Sequence, residues 1–113
     1  MLNKQQRVSS SKDFQTIYRR GRHSSSAFFS LNYLKNYYGH SRFGVVVNKK
    51  VAKKAVDRNL LKRQLREIIK KNYDQPIVGL DIIITTRPKI KELSFAQLEK
   101  ELLALLFSAK LIK

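Results

Sequence analysis

Residues 49–71 read KKVAKKAVDRNLLKRQLREIIKK and hold ten Lys/Arg (Lys49, Lys50, Lys53, Lys54, Arg58, Lys62, Arg63, Arg66, Lys70, Lys71) against only Asp57 and Glu67. At about 100° per residue on a helical wheel, Leu61, Leu65, Ile68 and Ile69 fall on one side, while Asn59, Lys62, Arg63, Arg66 and Lys70 share another. The pattern predicts a helix with one face for a core and one for phosphates. Surface helices usually mix charge signs and gain i,i+4 pairs from doing so. This helix forgoes that pairing.

The rest of the chain agrees. Its 113 residues support one domain with a modest core, and 42% apolar residues with 10% aromatics lie in the globular range. A net charge of +16, from 24 Lys/Arg against 8 Asp/Glu, makes the compact monomer repel itself and calls for an anionic partner. Nucleic acid is the common partner at this charge density, ahead of a membrane surface or an acidic protein. With no cysteine there is no disulfide framework or thiolate metal site, and MLNKQQRVSSSK lacks the apolar core of a signal peptide. No apolar run approaches the roughly 18 residues of a membrane span. A reducing cytoplasm is the expected location.

Outward from the basic segment, residues 1–9 read as a flexible polar arm. In SSKDFQTIYRRG, Ser10 is placed to cap a first helix with Asp13 at N3, Phe14, Ile17 and Tyr18 share one face, and Gly21 is placed to end it. HSSS reads as a flexible turn. Strands are expected at residues 28–34 (FFSLNYL) and 42–47 (RFGVVV), joined by a hairpin connection KNYYGHS, and at residues 80–86 (LDIIITT) in a central position. The turn-forming DQPIVG precedes that last strand. Leu93, Ser94, Gln97 and Leu98 combine a capping box with a hydrophobic staple, and open a terminal helix with a Leu98, Leu102, Leu105, Leu106 stripe. The element order indicates an α/β (α+β) sandwich formed by one domain over residues 1–113. A strand–helix–strand passage from Val45 through Leu65 to Ile83 is ordinarily a right-handed crossover.

No catalytic residue and no metal ligand set emerges. His23 and His40 lie in polar turns with no carboxylate or second histidine at ligand spacing, the acidic residues are scattered, and the glycines form no phosphate-cradling loop. Aromatics are more informative. Phe14 and Tyr18 share a helical face, and Phe28, Phe29, Tyr33, Tyr37 and Tyr38 lie on or beside a strand, which suits a groove for single-stranded RNA or, equally, the filling of a small core.

The segments DFQTIYRRG, RFGVVVNKKV and KKAVDRNLLKRQLRE together resemble the protein subunit of bacterial ribonuclease P, over nearly the whole chain. That family joins an aromatic first helix to a Lys-rich segment and an Arg-Asn-Arg helix. Leu60 stands where the family usually has its second arginine. The resemblance implies a mixed sheet of about four strands with helices, and a left-handed crossover carrying the basic helix. It implies a ribonucleoprotein endonuclease that removes the 5′ leader of precursor tRNA by phosphodiester hydrolysis, with catalysis by the RNA subunit and Mg²⁺ held largely by that RNA. The expected partners are ribonuclease P RNA and precursor tRNA, with a monomeric protein in a 1:1 complex with RNA and no membrane. Carried over position by position, Lys53, Lys54, Arg58, Asn59, Lys62, Arg63 and Arg66 are candidates for the RNA subunit, and Phe14, Tyr18, Asn48, Lys49, Lys50 and Arg87 for the leader. Two other classes share the charge: a small basic ribosomal protein, and a DNA-binding regulator, although no helix-turn-helix spacing is evident.

Overall fold

The run LDIIITT is apolar on both faces, and such a strand must be covered on both sides. In the computed structural model, which describes residues 4–72 and 79–112, it takes an interior sheet position. The elements are α1 (Ser11–Arg20), β1 (Arg22–Ser25), β2 (Phe29–Lys35), β3 (Arg42–Val46), α2 (Ala55–Lys71), β4 (Leu80–Thr86) and α3 (Phe95–Ser108), with 3₁₀ turns at Lys4–Gln6 and Pro88–Glu92. The sheet order is β1-β2-β4-β3. β4 is antiparallel to β2 and parallel to β3, so α2 lies in a crossover connection.

Register divides the core. On one face, Leu31 and Val45 flank Ile84, and Tyr33 and Phe43 flank Ile82. Leu65, Ile68 and Ile69 of α2 and Leu98, Leu102, Leu105 and Leu106 of α3 are buried over them, the residues that the helical periodicity selects. Each such side chain contributes about 1.5–3 kcal/mol on burial. The capping box at Ser94 and Gln97 is formed in both directions. On the other face, Ile83 packs with Ile17 of α1 and with Val8, flanked by Phe14, Leu34 and Val46. Helix α1 thus lies across only part of that second face.

Four expectations change. HSSS is not a turn: Arg22–Ser25 is an edge strand antiparallel to β2. Its serines show no apolar alternation because an edge strand with both faces largely in water has nothing to bury. KNYYGHS is not a hairpin loop, since β4 inserts between β2 and β3. The arm at residues 4–9 is docked rather than free: Arg7 bridges to Phe43, the Val8 amide donates to the Phe43 carbonyl at 2.9 Å, and the Val8 side chain is buried. Covering the outer edge of β3 in this way satisfies backbone groups that an edge strand leaves open. Finally, α2 begins at Ala55, so KKVAKK precedes the helix as a turn held by buried Val51. The turn expected over residues 74–79 lies outside the described residues except for Gly79, whose φ of +89° suits glycine.

Asp81 interrupts the apolar run of β4 and is buried. Arg42 Nη2 and Nε donate to its two carboxylate oxygens at 2.6 and 2.8 Å, and Asn36 Nδ2 donates to Oδ1 at 2.7 Å. Arg42 Nη1 also reaches Asp13 in the first turn of α1 at 3.3 Å, and Tyr38 lies against the guanidinium at 4.4 Å. The hydrogen bonds that Arg42 donates to Asp81 raise the Arg42 pKa above its ordinary value despite the cost of burial. This network fixes one end of α1 to the sheet. At the other end, Gly21 is required by close approach: a Cβ there would meet the carbonyl oxygens of Ile17 and Tyr33 at 2.5 and 2.6 Å.

Candidate nucleic-acid interface

With Leu65, Ile68 and Ile69 buried, the opposite side of α2 must face outward. Asn59 and Arg63 are exposed, Arg58, Lys62 and Arg66 half-buried, and Lys53 and Lys54 project from the preceding turn. Arg58 is partly committed to the fold: its Nη1 donates to the carbonyls of Ala52 and Lys53 at 3.0 and 2.7 Å, lashing the basic turn to the helix. Asn59 does not cap the helix start, because the N-cap position is Lys54 and Asn59 lies a turn further on. Asp57 occupies the first turn, where a carboxylate complements the helix dipole. Exposed Leu60 and Val56 line a trough along α2 with Asn59, Arg63 and Arg66.

On α1, the rings of Phe14 and Tyr18 lie tilted to each other with centroids 6.3 Å apart, but their surroundings differ. Phe14 is half-buried over Gly44, where a Cβ would lie 2.7 Å from its ring. Tyr18 is 48% exposed. The strand aromatics do not join them: Phe28, Phe29 and Tyr33 pack with the α2 and α3 core on the opposite face, Tyr38 lies on Arg42, and Tyr37 is exposed. The part of the second face beside α1 is instead floored by Ser25, Ser30, Thr85 and Val46 in one register row. Asn48 and Arg87 follow two residues beyond Val46 and Thr85, with Lys49 and Lys50 beside them, all exposed.

The two candidate sets meet. Arg66 borders both the α2 trough and a notch shared with Phe14, Gly44, Arg7 and Ser9. Lys50 shares a second recess with Lys53, Lys54 and Lys91. Sequence reasoning missed Arg7 and Lys91, whose placement depends on docking of the arm and on the Pro88–Glu92 turn. Ser30 and Thr85 carry no sequence signal beyond alternation.

Among the described residues no group of three or more His, Cys, Asp or Glu could hold a metal ion, and no helix is long and apolar enough to cross a membrane. His23 Nε2 lies 2.8 Å from Ser30 Oγ, and His40 Nε2 lies 2.8 Å from the Gln5 carbonyl oxygen, both structural contacts.

Comparison with known proteins gives one family. A family model for ribonuclease P matches residues 2–110. The ribonuclease P protein component of Syntrophomonas wolfei is 34% identical over 111 residues, 98% of this chain and 92% of that protein. The corresponding protein of Streptococcus agalactiae is 35% identical, over 98% of this chain and 100% of its own length. The Staphylococcus aureus RNase P protein superposes with a TM-score of 0.88 at 31% identity, covering 96% of this chain and 98% of that one. The Thermotoga maritima RNase P protein, solved with 1-(4-fluorophenyl)-2-thiourea, gives a TM-score of 0.82 at 33% identity, covering 88% and 96%.

Proposed function

Since the chain belongs to the ribonuclease P protein family, we propose that it binds ribonuclease P RNA and the 5′ leader of precursor tRNA, and assists endonucleolytic removal of that leader. The observation that carries this reading is the meeting of the α2 basic face with Phe14 of α1 at Arg66. A subunit that gathers two RNAs needs two surfaces that adjoin. Lys53, Lys54, Asn59, Lys62 and Arg63 engage the phosphates of the RNA subunit, and the leader lies on the second sheet face between Tyr18 and the Asn48, Lys49, Lys50 and Arg87 rim. Arg66 and Phe14 mark the junction. Lysine and arginine displace condensed counterions and give affinity that depends on salt and little on sequence, as a leader of variable sequence requires.

Phosphodiester hydrolysis here uses Mg²⁺ held largely by the RNA. Of the acidic groups near the interface, Asp13 and Asp81 pair with Arg42, Asp57 sits in the first turn of α2, and Glu67 lines the α2 trough with Arg63 and Arg66. The protein contributes binding and orientation, as a monomer in a 1:1 complex with the RNA in the cytoplasm.

Alanine at Arg63 or Arg66 should weaken assembly with the RNA subunit, and each should flatten the plot of log K against log salt by about 0.7–0.9 per lost phosphate contact. Leu60→Arg should fold normally, because this side chain is exposed, and should steepen the same plot. Filter binding across a salt series measures all three. Unchanged slopes for both arginine variants would remove α2 from the RNA interface.

A further inference from the structure

The last turn of α3 ends in a Schellman motif, with the Lys110 amide donating to the Phe107 carbonyl and the Leu111 amide to the Leu106 carbonyl, both at 2.9 Å. Leu106 and Leu111 are buried, as the motif's apolar contact requires. The residue at C′ in this motif must be left-handed, and glycine is the usual occupant because a Cβ disfavours that conformation. Here it is Lys110, with φ of +63°, the one non-glycine residue of positive φ among those described. Stability is given up at this position, and the side chain placed there is a cation.

Lys110 lines a groove at the β1 end of the molecule with Arg20, Arg22, Lys35 and Tyr33. Arg20 and Arg22 flank Gly21, whose tight approach to the Tyr33 backbone fixes the direction in which the chain leaves α1. Among the described residues, ion pairs involve only Arg42 with Asp13 and Asp81, and Lys71 with Glu99. Among the described residues none of the four groove cations has an acidic partner. The β1 strand is the sheet edge opposite β3, the strand whose turn leads into α2. The groove is therefore separate from the α2 face.

We propose that Arg20, Arg22, Lys35 and Lys110 form a second phosphodiester-binding surface, which holds the ribose-phosphate backbone of RNA at the β1 edge. This rests on the reading of the chain as a ribonuclease P subunit. Four cations around one groove, with no acidic partner among the described residues, suit a polyanion, and the strained Lys110 supplies a cation where glycine would give the more stable turn. Either the RNA subunit or the precursor tRNA can bring that backbone, and two binding arms separate them.

Lys110→Gly tests the proposal, because it removes the charge while relieving the backbone. The full chain is measured for binding to ribonuclease P RNA, and the assembled enzyme for binding to precursor tRNA, each across a salt series. Lys100→Ala, at an exposed position on α3, is the control for loss of one bulk charge. The expected result is an unchanged or higher thermal midpoint for Lys110→Gly, with several-fold weaker binding in one arm and a slope shallower by about 0.7–0.9 than wild type. Arg22→Gln and Lys35→Gln should lose affinity in the same arm. If Lys110→Gly matches Lys100→Ala in both arms, or loses thermal stability together with affinity, the groove is not an RNA surface. Should wild-type protein itself fail to bind ribonuclease P RNA, the underlying reading fails as well, and that outcome is distinct from the first.

Discussion

Arg42→Ala is expected to lower folding stability by about 3–5 kcal/mol, the range for removing one partner of a buried ion pair. Asp81 is 6% exposed and would keep only the Asn36 amide of the side-chain partners described. Asp13 would lose its tie as well, so α1 should loosen along with the sheet. Arg42→Lys should recover part of the loss and not all, since an ammonium cannot reproduce the two-point contact with Asp81. The double variant Arg42→Ala/Asp81→Ala should be less destabilised than the sum of the single variants. A guanidinium pKa raised by Asp81 contributes stability that is fully present below the ordinary arginine value and lost only as pH rises through the higher folded one. The group therefore adds no pH dependence near neutrality. Denaturant unfolding of wild type, Arg42→Ala, Arg42→Lys, Asp81→Ala and the double variant at neutral pH measures this. A loss below about 1 kcal/mol for Arg42→Ala would mean that the network contributes little beyond a surface pair.

The second large effect belongs to the α1 aromatics. Tyr18→Ala should weaken binding of precursor tRNA to the assembled enzyme by about 1–3 kcal/mol, the usual worth of a base stacked on an aromatic face, and leave mature tRNA affinity and thermal stability nearly unchanged. Phe14→Ala should show a comparable loss of precursor discrimination together with a lower thermal midpoint, because its ring also fills the space over Gly44. Paired titrations with precursor and mature tRNA, set beside thermal melts, separate the two roles. Equal weakening toward both tRNAs by Tyr18→Ala would move the leader elsewhere on the surface.

The parts legible in the sequence were those with a local physical signature. The α2 stripe, the Ser94 capping box and the run LDIIITT each follow from periodicity or composition within a short window, and each reappears with the expected burial. What was not legible depends on partners far apart in the chain. Arg22–Ser25 becomes a strand only because β2 offers an edge, and residues 4–8 are ordered by the outer edge of β3. Asp81 sits inside an apolar strand and its partner Arg42 lies 39 residues away, so no local pattern joins them. The same holds for the site. The basic face of α2 was evident from residue types, whereas the meeting of Arg66 with Phe14 and the separation of Phe29 and Tyr33 from that surface required the register of β2 and β3 on β4.

The central claim is that this chain acts on precursor tRNA only together with its RNA. It is tested most directly by cleavage of precursor tRNA at low Mg²⁺ with the protein alone, the cognate RNA subunit alone, and the two combined. The combination should cleave at the mature 5′ end, with little cleavage by RNA alone and none by protein alone. Cleavage at that site by RNA-free protein, abolished by substitution of the protein's own carboxylates, would contradict it.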